Sequence, residues 1–178
     1  SISMYLGLTH QDIEVKESEI DLESIKEYID IPIGIKGLIK GMLSLGVKSK
    51  ELNNFSMKLS SNNFVIEEQV YSHDQFGNIE IPLLDFKKLD LEVSLENKVL
   101  LFKKFTLGNE FPKLEVTGNI KMNSQNVQAS QLDVNVTIKL DKTLKEKFNF
   151  LSLIAPNGEK EDGFSFKVTG SLSDLKFE

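Results

Sequence analysis

The chain has 178 residues, 40% of them hydrophobic and 27% charged, which suits one globular domain with a real core, or at most two small ones. Its formal net charge of -6 removes the counterion-release drive that holds proteins on DNA or RNA, and argues equally against an electrostatic grip on anionic lipid headgroups. The absence of cysteine excludes a disulfide framework, a thiol nucleophile and thiolate metal sites, without fixing the compartment.

The first predicted element is a short helix over 21–29, "DLESIKEYI", with Leu22, Ile25 and Ile29 on one face and Asp21 as its N-cap. The next stretch, "IDIPIGIKGLIKGMLSLGVKSK" (29–50), has the apolar content of a membrane span and a GxxxG pair at Gly37 and Gly41. Lys36 and Lys40 interrupt it at roughly 2.5–3.5 kcal/mol each at a bilayer centre, and Pro32 and the glycines oppose an ordinary helix. It reads instead as glycine-punctuated strands, with Ile33 and Ile35, then Leu43, Leu45 and Val47, facing one way. Less regular strands follow at 55–60, 63–72 and 78–86, punctuated by Gly77-Asn78 and Pro82.

From residue 88 the period of two is plain. Leu89, Leu91, Val93 and Leu95 alternate with Asp90, Glu92 and Ser94; Asn97-Lys98 supplies a tight reversal; Val99, Leu101, Phe105 and Leu107 return. "KLEVTGNIKM" (113–122) carries Leu114, Val116, Ile120 and Met122 around Gly118, and "QLDVNVTIKL" (131–140) alternates Leu132, Val134, Val136, Ile138 and Leu140 with polar residues. Each strand has one dry and one wet face, the mark of an antiparallel sheet solvated on one side. A second helix is predicted over 141–158, with Asp141 as cap, Leu144, Phe148, Leu151 and Ile154 at helical spacing, and Pro156-Asn157-Gly158 as the stop. The end, "GFSFKVTGSLSDLKFE" (163–178), reads as two short strands joined through Gly170, with Leu172 buried and Phe177 packed near the end of the sheet.

Chemistry-bearing motifs are missing. His10 and His73 sit in polar segments without metal-ligand spacing; the glycines at 34, 37, 41 and 46 fit no phosphate loop; no GxSxG elbow is present. "NGEKEDG" (157–163) lacks the EF-hand pattern and reads as a solvated turn, and "NVT" (135–137) as a chance sequon within a strand. We therefore expect no catalytic residues, no cofactor and no metal, and a function carried by surfaces.

The stretches "IPLLDFKKLDLEVSLENKVLLFKKFTL", "LEVTGNIKM", "LDVNVTIKL", "LKEKFNFLSLI" and "FSFKVTGSLSDLKF" together resemble the N protein of bacterial type II secretion systems (GspN), and more distantly AsmA-like proteins. That family closes on a G-x-L-x-x-P pattern; Gly170 and Leu172 fit it, and Leu175 stands at the proline. The resemblance implies a single periplasmic β-rich domain over 1–178, anchored to the inner membrane through a segment upstream of Ser1. It implies a non-catalytic scaffold that contacts other secretion-system subunits in protein secretion across the outer membrane. The AsmA-like alternative is a lipid-binding or lipid-transport module with an apolar groove.

The expected fold is mainly β: nine to eleven strands in a strongly curved antiparallel sheet, a half-open barrel or groove, with two short helices. Phe102, Phe105, Val134, Val136 and Ile138 are the candidate groove lining. A scaffold should fill that dry face with its own side chains and helices; a lipid carrier should leave part of it open.

Overall fold

The computed structural model describes residues 2–6, 10–25, 33–48, 51–73, 77–148, 150–154 and 157–178. In chain order they form β1 (Ile2–Leu6), β2 (His10–Asp21), α1 (Leu22–Ile25), β3 (Ile35–Lys36), β4 (Leu38–Lys48), β5 (Glu51–Ile66), β6 (Gln69–His73), β7 (Gly77–Ile81), β8 (Leu84–Glu96), β9 (Val99–Leu107), β10 (Lys113–Lys121), β11 (Gln131–Lys139), α2 (Lys142–Lys147), α3 (Leu151–Ile154), β12 (Glu159–Lys160), β13 (Gly163–Ser171) and β14 (Asp174–Phe177). A 3-10 turn at Val127–Ala129 links β10 to β11. The protein is mainly β, as the alternation predicts.

Twelve strands form one antiparallel sheet, on the path β1-β2-β4-β5-β8-β9-β10-β11-β13-β12, with β14 also paired to β13 and β3 to β5. β6 and β7 form a separate hairpin. The sheet is not closed into a barrel. The strand count exceeds the expectation because β2 arises from polar-rich sequence whose register shifts between Val15 and Ser18, and β3 and β12 are only two residues long. Conversely, the strand read at 55–60 and the first part of that read at 63–72 are one long strand, β5, with a register irregularity between Ser61 and Phe64, and the rest of the second belongs to β6.

Period-two alternation and this register lay the apolar residues in rows across the sheet. One row runs Val15, Leu43, Met57, Val93, Phe102, Gly118, Val134, Val168 and Phe177, each a cross-strand neighbour of the next. The opposite face carries exposed ion pairs, among them Lys40–Glu19 at 3.0 Å, Lys58–Glu92 at 3.1 Å and Lys167–Asp133 at 2.8 Å. Such solvated pairs contribute little individually, so the sheet rests on its apolar rows and ladder bonds.

Two local features set the geometry. Asn97 and Lys98 take φ of 51° and 65°, the paired left-handed residues of a type I′ turn, so the β8–β9 reversal stands as read. Glu92 pairs with Lys104 and Val93 with Phe102, so Lys103 is an extra residue in β9. This bulge keeps Phe102 and Phe105 on one face although they are three apart, and their rings lie 6.4 Å apart. Leu100 and Phe102, rather than Val99 and Leu101, therefore share the dry face with Phe105 and Leu107.

Helices close one end. At α1, Asp21 caps as predicted: its carboxylate accepts from the Glu23 N–H at 3.0 Å. Residues 26–29 of that predicted helix lie outside the described residues. The second predicted helix is two short pieces, α2 and α3. Asp141 caps α2 by accepting from the Leu144 N–H at 2.9 Å, and Pro156 lies outside the described residues. Leu144 and Phe148 pack with Leu22 on a core of Phe64, Leu84, Phe86, Leu89 and Leu107, all buried. Among the described residues no helix is long and apolar enough to cross a membrane.

At the chain's end Gly170 (φ 100°) stays within β13, and the reversal falls on Leu172-Ser173. The final strand is present as β14. Leu172 sits in the turn and is exposed, contrary to expectation, because the turn rather than a strand holds it.

Candidate functional site

The five candidate groove residues come together on three adjacent strands. Phe102 and Phe105 belong to β9, and Val134, Val136 and Ile138 to β11, with β10 between. Phe102 and Val134 flank Gly118, which is opposite both. Gly118 has φ 125°, and a Cβ there would sit 2.2 Å from the Asp133 carbonyl oxygen, so only glycine fits. The row thus has a position with no side chain between an aromatic ring and a valine. Val136 lies between Val116 and Phe166, and Ile138 between Leu114 and Phe164.

The five span a boundary. Phe105 and Leu114 pack against the closed core, and Phe164, next to Ile138, is 1% exposed. Val134 is buried, whereas Phe102 and Val136 are half-buried. Beyond them Leu43, Met57, Leu100, Ile120, Leu132 and Phe166 are half-buried in the same way. Among the described residues, the helical side chains that meet the core are Leu22, Leu144 and Phe148, all at the closed end. The sheet therefore presents an apolar strip, or trough, in which Val93, Leu95, Val134 and Val168 are buried and their neighbours half-buried beyond the helix-covered end.

The trough extends further than sequence reasoning placed it. Leu43 and Met57 on one side and Phe166, Val168 and Phe177 on the other complete its rows. Alternation within those strands signals them; the order of strands, which makes them neighbours, is not written in any one segment.

The polar face has its own concavity. A cleft of about 620 Å³ is lined by Glu19, Lys40, Lys58, Asp90, Glu92 and Lys104 among others, and shares no residue with the five candidates. Its charges are mutually satisfied. Partial burial pushes the Asp90 carboxyl up, but hydrogen bonds and charge from Lys88 and Lys104, each at 3.1 Å, outweigh it and leave the group below the ordinary carboxylate value.

A second cleft, of about 600 Å³, lies beside α2. Lys145 organises it: its ammonium is 3.0 Å from Glu159, donates to the Lys160 and Glu161 carbonyls, and sits 5.8 Å from the Phe164 ring centre. Lys145 lowers the Glu159 carboxyl by hydrogen bond and charge, and Lys139, at 3.0 Å, lowers Asp162 chiefly by hydrogen bond. The acidic turn at 157–163 is thus held by the protein's own lysines. Among the described residues no three His, Asp or Glu side chains are grouped as a metal would need. His10 opens β2 and His73 closes β6; their side chains lie outside the described residues.

No protein family, curated protein or solved structure matches this chain, so its functional reading rests on the trough and the sequence resemblance.

Proposed function

We propose that this chain is a non-catalytic periplasmic module of the GspN and AsmA-like kind whose working surface is the apolar trough, and that the trough holds lipid acyl chains. The observation that carries this reading is the set of half-buried apolar side chains beyond the helix-covered end, Leu43, Met57, Phe102, Ile120 and Phe166 among them. Apolar surface of that extent is stabilised by an apolar occupant, and acyl chains fit a long, shallow strip without needing polar anchors. The net charge of -6 agrees with a grip on the tails rather than on anionic headgroups.

The second reading is a scaffold in the type II secretion machinery, contacting other subunits. The quoted stretches of the C-terminal half favour it, since they resemble the secretion-system N protein more than the wider AsmA-like group. Under this reading a partner subunit covers the trough.

Native mass spectrometry of protein purified without detergent, with organic extraction, separates the two. Phospholipid adducts that Phe102→Ala reduces and Lys58→Ala on the polar face leaves intact would support acyl-chain binding. Bare protein that still captures secretion subunits would remove the lipid reading in favour of the scaffold.

A further inference from the structure

On the outer side of β13 lie β12 and β14, and among the described residues no strand pairs with the outer edge of β14. Lys167 and Glu178 exchange backbone hydrogen bonds in both directions, with N···O distances of 2.8 and 2.9 Å. In an antiparallel ladder such pairs alternate with pairs whose N–H and C=O groups point away. Lys176 and Asp174 therefore bond inward, to Thr169 and Ser171, while Leu175 and Phe177 turn their backbone groups outward. Among the described residues no strand lies on that side. Leu175 is 42% exposed and Phe177 38%, and they end the trough's rows opposite Gly170 and Val168.

We propose that this edge pairs with the same edge of a second copy of the chain, antiparallel about a two-fold axis at Leu175. The strand's own chemistry selects the partner and the register. Only odd-numbered residues here present outward backbone groups, so only odd-to-odd pairings close hydrogen bonds. Setting Leu175 against Leu175 of the second copy places Asp174 opposite the other copy's Lys176, twice. The two neighbouring registers set Lys176 against Lys176 or Asp174 against Asp174, like charge against like. Among the described residues neither Asp174 nor Lys176 has an ion-pair partner in its own chain. Leu175 lies on the apolar face, so the pairing joins the two troughs on one side of a shared sheet. This inference stands on the edge alone and does not depend on what fills the trough.

Sedimentation velocity on the whole chain, from low micromolar to near millimolar, tests it. The expected result is a reversible dimer. Leu175→Pro removes an outward N–H and no inward bond, so it should give a monomer with an unchanged melting temperature and a still-protected Lys176 amide. Lys176→Asp alone, or Asp174→Lys alone, should weaken the dimer at least about tenfold, and the two together should restore it. In this cysteine-free chain, Leu175→Cys should cross-link two copies on oxidation, because hydrogen-bonded antiparallel pairs have Cα atoms about 5.5 Å apart, within disulfide reach. A chain that stays monomeric throughout the series overturns the proposal. So does a dimer that survives Leu175→Pro, or one that the double charge exchange fails to restore.

Discussion

The two ends of the sheet use similar residues to different effect. At the closed end Phe64, Leu84, Phe86 and Leu89 are each 7% exposed, because side chains from helices and strands meet them from several sides. Toward the other end Leu43, Met57, Phe102 and Ile120 are half-buried, although Val93 and Val134 beside them are only 4% and 6% exposed. The contrast is between an end packed throughout and a face packed in part. Stability should therefore concentrate at the closed end, and tolerance to substitution, with any ligand, along the open rows.

The sharpest test replaces one phenylalanine at each end. Phe86→Ala leaves a cavity in packed surroundings and should cost about 3–5 kcal/mol by urea denaturation. Phe102→Ala, already partly solvated, should cost roughly 1–2 kcal/mol. Equal losses would mean that the trough is as closed as the core.

A smaller effect checks which way β11 faces. Val136→Asp sets a charge between Val116 and Phe166 and should cost roughly 2–3 kcal/mol, whereas Asn135→Asp, exposed and opposite Lys167, should change stability by no more than about 0.5 kcal/mol. Matching melting temperatures for the two variants would show that the strand is turned over.

The smallest effect concerns the polar side. Asp90, Glu159 and Asp162 titrate lower in the folded protein than in the unfolded chain, because lysines hold their charged forms. Their contribution is complete above the unfolded value of roughly 4 and is lost as pH falls through the lower folded values. Melting temperature should thus be flat from neutral pH to about 5 and decline below about 4, and only modestly, since these groups are solvent-screened. A steep fall between pH 7 and 5 would point to a titrating group elsewhere in the chain.

Much of this arrangement is legible in the sequence where one signal speaks alone. The alternation of β8 and β11, the Asn97-Lys98 turn and the two aspartate caps all stand as read, because each depends on a few adjacent residues. The bulge at Lys103 is hidden because the extra residue is one of two consecutive lysines, with no glycine to mark it. The split between α2 and α3 is hidden because the spacing of Leu144, Phe148 and Leu151 runs on across it. β2 escapes notice because a register shift between Val15 and Ser18 breaks its alternation midway. The five groove candidates are identifiable as one dry face. The line between its closed and open parts depends on where α1, α2 and the long β5 pack, and no local pattern carries that.

A sheet that never closes escapes the rule tying strand number to tilt and stagger in a barrel. Its principal path of ten strands makes nine steps of about 4.8 Å, roughly 43 Å measured along the sheet. Inserting one more hairpin would lengthen this span by about 10 Å while leaving every existing strand pair intact except at the insertion point. For such an architecture, reach is a quantity that gene duplication of a single hairpin can adjust, without redesign of the closed end that keeps the protein folded.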